Sequence, residues 1–365
     1  MTEIGKRANS MTSQNHIPTR VPVSDRDAIK KILKRDGIVI VNELPGDASS
    51  LDYWENIAGE LPALCFGNSN LIPGEPSVAC LHQEFARFEQ LQMLQTKYGE
   101  EGAVLSKAAE EELREKAVKD GLPHFTEIPW NWGLRQNPHT DGYVYGDHVP
   151  DHIFLLVEQQ ADAGGDSFCV DGERVLERLH AYPDADSLVP LLYTLVYDQT
   201  ESEKNGGLIQ GLSAKGPLFV RRPDGRLQWK RMLGKDQLQT VEDMQAVPIP
   251  RSCWAVTPET REIATKIGAK ITPEEVLRRV DLAIHAESET AVRVRLKKGE
   301  CICIDNYRML HSSEAFDSGE RRMWRMWTWT TNSDGRPNGD GMPVSTPLDI
   351  QLDSIPQTRS SDAGP

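Results

Sequence analysis

The chain has 365 residues, 38% hydrophobic and 26% charged, which describes a globular protein with enough apolar mass for a real core. Lys and Arg total 41 against 55 Asp and Glu, a formal net charge of −14, which argues against a function built on neutralising phosphate backbones. No apolar run approaches the roughly 18 residues a membrane span needs, and the polar segment from Met1 to Thr19 lacks the apolar stretch of a signal peptide. Six scattered cysteines (Cys65, Cys80, Cys169, Cys253, Cys301 and Cys303) suit a reducing compartment, so a cytoplasmic protein is expected.

Taken in order, residues 1–20 read as a mobile tail. Ser24, with Asp27 three positions on, is placed to cap a helix that carries Ile29, Ile32 and Leu33 at helical spacing and ends at Gly37. Ile38 to Val41 is a β-branched buried strand, and Leu51 to Leu61 a second helix. Long helical patterns fill 81–119. After Gly121-Leu122-Pro123 short strands and turns dominate: Ile153–Val157, the Gly164-Gly165 turn with the strand after it, Leu191–Tyr197, and a hairpin over 218–229 about Pro223-Asp224-Gly225. A helix runs from Gly172 to Tyr182 and another from Pro273 to Ala286. Val292–Leu296 alternates like a half-buried strand, and Cys301–Ile304 and Met326–Thr330 follow as strands. Cys301 and Cys303 sit in an apolar run and read as core positions, not a zinc pair. The basic run Arg221, Arg222, Arg226, Lys230 and Arg231 reads as a solvated hairpin. This is a mainly β pattern with flanking helices, an antiparallel sandwich or barrel wrapped by helices. One domain over 21–345 is expected, with a C-terminal tail or surface strap at 346–365.

The chemistry concentrates in Gln136-Asn137-Pro138-His139-Thr140-Asp141-Gly142-Tyr143. On an extended backbone His139 and Asp141 share one face with Thr140 turned away, so both can bite one ion. A third ligand completes a two-His-one-carboxylate facial triad of the kind that holds Fe(II). His311, in Asp305-Asn306-Tyr307-Arg308-Met309-Leu310-His311, is the candidate, since barrel closure brings distant strands together at only a logarithmic entropy cost. Farther on, Arg321, Met323 and Arg325 share a strand face opposite Arg322, and a buried guanidinium there suits a carboxylate. His148 and His152 read as loop or strand residues, not ligands.

His-Thr-Asp at 139–141, Gly-Gly-Asp-Ser at 164–167, Asp-Asn-Tyr-Arg-Met-Leu-His at 305–311 and Arg-x-x-x-Arg at 321–325 occur in that order. Together they resemble the Fe(II)/2-oxoglutarate-dependent oxygenases of the taurine dioxygenase and clavaminate synthase type, over about residues 130–330. The resemblance implies a double-stranded β-helix (jelly-roll) core and a helical N-terminal part. It implies iron ligation by His139, Asp141 and His311, and pairing of Arg321 and the Ser167 hydroxyl with the distal carboxylate of 2-oxoglutarate. Arg325 would reach the co-substrate or an anionic group on the substrate. Ser167 stands where the family more often has Thr, and Ser312 and Ser313 replace its usual Gly and Arg. The short spacing from His311 to Arg321 leaves Arg322 or Arg325 as alternatives for the anchor. Fe(II), 2-oxoglutarate and O2 would oxidise an unactivated C–H bond, and the intact Asp141 points to hydroxylation, or to desaturation or cyclisation, rather than halogenation. The partner expected is a small polar molecule, such as an amino acid or natural-product intermediate, with no nucleic acid and no membrane. Arg135, Tyr143, Tyr145 and Trp132 would line its pocket, with 198–298 as a covering lid. A metal-binding sandwich without catalysis and a zinc hydrolase are the competing readings.

Overall fold

In the computed structural model the described residues are 17–50, 52–67, 78–98, 107–122, 135–142, 149–198, 215–222, 225–229, 231, 238–239, 254–318, 321–330, 333, 336–337 and 352–353. Strand β1 (Arg20–Pro22) is followed by α1 (Arg26–Asp36), β2 (Ile38–Asn42), α2 (Tyr53–Phe66), β3 (Val78–Cys80), α3 (Leu81–Tyr98) and α4 (Lys107–Lys119). Next come β4 (Arg135–Gln136), β5 (His152–Gln159), β6 (Ala163–Gly164), β7 (Ser167–Asp171), α5 (Gly172–His180) and α6 (Ala185–Thr194). Short pairs follow: β8 (Tyr197–Asp198), β9 (Lys215–Gly216), β10 (Val220–Arg221), β11 (Leu227–Gln228) and β12 (Leu238–Gln239). Helices α7 (Pro258–Lys266) and α8 (Pro273–Thr290) precede β13 (Cys301–Asp305), β14 (Met309–Ser313), β15 (Phe316–Ser318), β16 (Arg322–Thr328), β17 (Arg336–Pro337) and β18 (Leu352–Asp353).

A six-stranded mixed sheet, in the order β1-β2-β13-β5-β16-β3, forms the backbone of the molecule. Only β1 and β2 are parallel. The period-2 alternation of its central strands divides two cores. Val39, Val41, Phe154, Leu156, Cys301, Cys303 and Met326 face α1 and α2, joining Ile29, Leu33, Ile57 and Leu61. Ile38, Ile40, Ile153, Leu155, Val157, Ile302, Ile304, Met323 and Trp327 face the other way, joining Val294, Leu296 and Met309. Cys301 and Cys303 are thus buried core positions, as their apolar setting implied. Opposite the inner face lie the antiparallel pairs β7–β14 and β6–β15. Behind them a third apolar cluster gathers α5, α6 and α8 with Tyr197, Phe219, Trp229 and Trp254.

Several sequence expectations need correction. Helices carry more of the chain than a mainly β reading allows: the described residues hold eight. The cap of α1 is Asp25, whose carboxylate accepts from the Ala28 amide at 3.0 Å, and not Ser24. Leu191–Tyr197 is not a strand, because Leu191–Thr194 ends α6 and only Tyr197 enters β8. Its continuous apolar run has no period that separates a buried helix from a strand. Val292–Leu296 makes a single bridge, Val294 to Ser167, and no longer ladder. Arg20, placed at the end of the expected N-terminal tail, already pairs in β1, and Leu352–Asp353 pairs with β17 inside the expected C-terminal one. The rest of 346–365 and residues 1–16 lie outside the described residues. Within 198–298 the described parts include the β8–β9 pair, the β10–β11 hairpin, β12 paired with β4, α7 and α8, and α8 packs against α5 and β7. No described helix is long and apolar enough to cross a membrane.

Candidate metal centre

Backbone pairing builds the centre. His139 and His311 exchange both amide hydrogen bonds, at 3.0 and 2.9 Å, as an isolated antiparallel bridge. Residues directly opposite in such a pair project to the same face, so the two imidazoles lie with ring centroids 4.1 Å apart. On the other side of His311, β7 pairs with β14. Only Arg135–Gln136 of the segment before His139 is a regular strand, so Asp141 is held by other means. The Asn306 side-chain carbonyl accepts from the Asp141 amide at 2.9 Å. The Asn306 amide donates to the Asp141 carbonyl at 3.0 Å and to the Pro150 carbonyl at 2.8 Å. Gly142 turns the chain beside it at φ +80°, and a Cβ there would stand 2.1 Å from Pro150 Cδ.

The donors converge on one oxygen. His139 Nε2 and His311 Nε2 each lie 3.6 Å from Asp141 Oδ1. The ligand atoms of the three residues all fall within 4.8 Å of one another, and all three residues are buried. Each of two neighbouring ligands about 2.1 Å from one ion stands roughly 3 Å from the other, so a small inward movement closes the set on a metal. The protonation states suit that. His139 Nδ1 lies 2.9 Å from the Asn137 carbonyl and donates to it, which leaves Nε2 as a lone pair facing the carboxylate. Burial, with His311 beside it, pushes His139 down to about 3, and burial lowers His311 as well. Burial works to raise Asp141, but His311, Arg325 and His139 hold it below the usual carboxylate range. Two neutral imidazoles and one anion are therefore ready at neutral pH.

Around them, Arg231 Nε donates to the Pro138 carbonyl at 3.1 Å, its Nη1 meets Asp281 on α8 at 3.0 Å, and its guanidinium lies 4.8 Å from the Trp254 ring. The Thr140 amide donates to the Arg231 carbonyl at 2.8 Å, which turns Thr140 away from the metal side as its position implied. Arg231 is thus buried behind the centre, not part of a solvated hairpin. A basic run carries no sign of this, because the partner Asp281 lies fifty residues on.

The inward face of β16 continues the site. Arg325 Nε lies 3.7 Å from Asp141 Oδ2, with the guanidinium stacked 3.8 Å from the Trp327 ring centre. Two residues before β16's first inward position, Met323, Arg321 is held by neutral groups: Nε donates to Gln160 Oε1 at 3.1 Å and Nη2 to Ser167 Oγ at 3.4 Å. Among the described residues no acid forms an ion pair with it, and burial pushes it down to about 10. Gly165 (φ +70°) makes room, since a Cβ there would stand 3.2 Å from Arg321 Cδ. Arg322 points away and pairs with Glu158 at 3.0 Å. Arg135 is turned to α8: it donates to Ser288 Oγ at 2.9 Å, lies 3.5 Å from Glu289 and 3.7 Å from Glu314, and stacks near Phe168. His152 pairs with Asp151 at 3.1 Å and faces the Phe66 ring, outside the cluster. Tyr143, Tyr145, Trp132 and His148 lie outside the described residues. Sequence reasoning missed Asn306, Trp327, Gln160 and Arg231, though Asn306 stands inside a motif it singled out.

The sequence profile described as "Taurine catabolism dioxygenase TauD, TfdA family" matches residues 11–327. Among curated proteins none matches the chain. Solved structures similar to it include an asparagine oxygenase in complex with Fe(II), 2S,3S-3-hydroxyasparagine and succinate, at 16% identity over 84% of this chain and 79% of that one, TM-score 0.45. PvcB from Pseudomonas aeruginosa is 12% identical over 87% and 89%, TM-score 0.47. The non-heme iron oxygenase OrfP in complex with Fe is 13% identical over 83% and 78%, TM-score 0.41. With the matched profile spanning most of its length, the chain belongs to the taurine catabolism dioxygenase TauD, TfdA family and is a 2-oxoglutarate-dependent non-haem iron dioxygenase.

Proposed function

We propose that His139, Asp141 and His311 hold Fe(II) inside a jelly-roll core and that the enzyme hydroxylates an unactivated C–H bond of a small polar molecule, such as an amino acid, in the cytoplasm. The observation that carries this reading is the convergence of both imidazole Nε2 atoms on a single Asp141 oxygen. When bound, Fe(II) with 2-oxoglutarate and O2 supplies the oxidising power, and succinate and carbon dioxide are released. The protein's own groups bind and orient. Arg321, half-buried and hydrogen-bonded to Gln160 and Ser167, is the anchor for the distal carboxylate of the co-substrate. A partly desolvated guanidinium with no direct ion pair is favourably matched by a bidentate carboxylate. Ser167 adds its hydroxyl, so the replacement of the family's Thr keeps the donor. Arg325 stands between this anchor and the metal ligand. Tyr143, Tyr145 and Trp132, which lie outside the described residues, are assigned to the substrate side, and the part of 198–298 outside the packed helices is assigned as its cover. Arg135 acts there through α8, where Ser288 and Glu289 hold it. The intact Asp141 favours oxygen insertion over halogenation.

The test is a screen of amino acids and related carboxylates for substrate-dependent succinate formation, with the oxidised product weighed by mass spectrometry. A gain of one oxygen supports hydroxylation, and a loss of two hydrogens moves the assignment to desaturation or cyclisation. Fe(II) and 2-oxoglutarate added without oxygen should give a weak visible charge-transfer band. Its absence, together with zinc-dependent hydrolysis, would replace this reading with a hydrolase.

A further inference from the structure

The two oxygens of Asp141 have different surroundings. Oδ1 faces both imidazoles at 3.6 Å. Oδ2 accepts a hydrogen bond from the Trp327 indole Nε1 at 2.8 Å, and Arg325 Nε lies 3.7 Å from the same oxygen. Trp327 is buried in the inner core among aliphatic side chains, and indole nitrogen is a donor only. Burying an indole N–H without an acceptor is costly, so this geometry ties the ring to one carboxylate oxygen. The stacked Arg325 guanidinium, 3.8 Å from the ring centre, holds the indole in plane from one side. The strand that begins just after Arg321 therefore also carries a brace on the metal ligand.

We propose that Trp327, supported by Arg325, is a positioning residue that keeps Asp141 a one-oxygen ligand. The inference rests on the metal-ligand reading above. Its consequence is coordination number. A carboxylate free to turn can close both oxygens on an ion and take a position that the co-substrate or oxygen requires. With Oδ2 held by an indole N–H and a guanidinium, only Oδ1 is presented, and three positions stay open. On this reading Arg325 serves the carboxylate of the protein itself and does not depend on an anionic substrate.

The experiment uses Co(II) alone, added to metal-free enzyme, so that turnover is not the readout. Its visible spectrum reports coordination number, and its titration gives affinity. In Trp327→Phe, which keeps an aromatic ring in the core and removes the donor, Co(II) affinity falls about 10–100-fold, the range for loss of an outer partner of a metal ligand. The spectrum also changes intensity, while urea unfolding of the metal-free protein shows the fold retained. An affinity within about twofold of the parent and a superimposable spectrum would overturn the proposal. A parent enzyme that binds no Co(II), or binds it equally after His311→Ala, would overturn the metal-ligand reading itself. Should Trp327→Phe fail to fold, the parent protein labelled with 15N-tryptophan decides the matter. One indole resonance should move on adding Zn(II), and Asp141→Ala should displace that same resonance. If no indole resonance responds to Zn(II), the proposal fails.

Discussion

The two ends of β16's inward face solve different problems. At the metal end, the backbones of the donor residues are fixed: His139 and His311 opposite each other by paired amides, and Asp141 by the double hydrogen bond of the Asn306 side chain. At the other end, Arg321 depends on side chains, Gln160 and Ser167, both neutral. The metal end meets its anion within the chain, in Asp141. The Arg321 end holds a half-buried cation with no direct ion pair among the described residues. One stretch of chain, with Arg321 and Arg325 four residues apart, thus borders a charge pair with Asp141 at one place and a cation without a direct ion pair at the other. An enzyme that must keep its metal between turnovers yet exchange its co-substrate each time needs this inequality.

Breaking the metal end should have the largest effect. His311→Ala is expected to weaken Fe(II) binding by more than about 100-fold, beyond the loss typical of outer partners, and to take succinate formation to background. Equilibrium dialysis and product assay check both. Breaking the other end separates the functions. Arg321→Leu should raise the half-saturating 2-oxoglutarate concentration about 100-fold, since two charge-assisted bonds are lost, while Fe(II) affinity stays near the parent value. If Arg322→Leu had that effect instead, the anchor would have to be reassigned.

Asn306→Ala sharpens the contrast from the backbone side. It strands the Asp141 amide and the Asp141 and Pro150 carbonyls, so a loss of about 2–4 kcal/mol in urea unfolding is expected. Away from both ends the effect should be smallest. Glu300 accepts from Arg20 Nε at 2.8 Å and from the Lys297 amide at 2.9 Å. Burial works to raise Glu300, but these partners bring it below its ordinary value. A lowered carboxyl adds stability above its unfolded value and loses it as pH falls through the folded one. Glu300→Gln should therefore flatten the acid limb of the stability curve below about pH 4.5 by less than about 1 kcal/mol, with metal and co-substrate binding unchanged. Chemical denaturation at several pH values measures it.

The legible parts of this molecule were those with short-range signatures. The alternation in Ile38–Val41 and Cys301–Ile304, and the spacing of His139 from Asp141 and of Arg321 from Arg325, follow from periodicity alone. What escaped was set by distant partners. His139 and Asp141 share a face, but a regular strand is not the reason: a lone bridge and the Asn306 side chain place them. Arg231 looks like its basic neighbours until α8 brings Asp281 to it. Leu191–Thr194 is helical because α6 buries its leucines against α5 and α8, which no local pattern reveals. Trp327 reads as one more aromatic in a strand, and only the fold shows its nitrogen aimed at a carboxylate.

The alternation of the central sheet has a mechanical consequence. Sliding β16 by one residue against β5 would exchange its faces, sending Arg325 and Trp327 into the greasy layer against α1 and α2 and bringing Met326 to the ion. The polar cargo needed for catalysis thereby penalises every misaligned zipper of this sheet. Chains that fold at all fold with the reactive groups already facing inward.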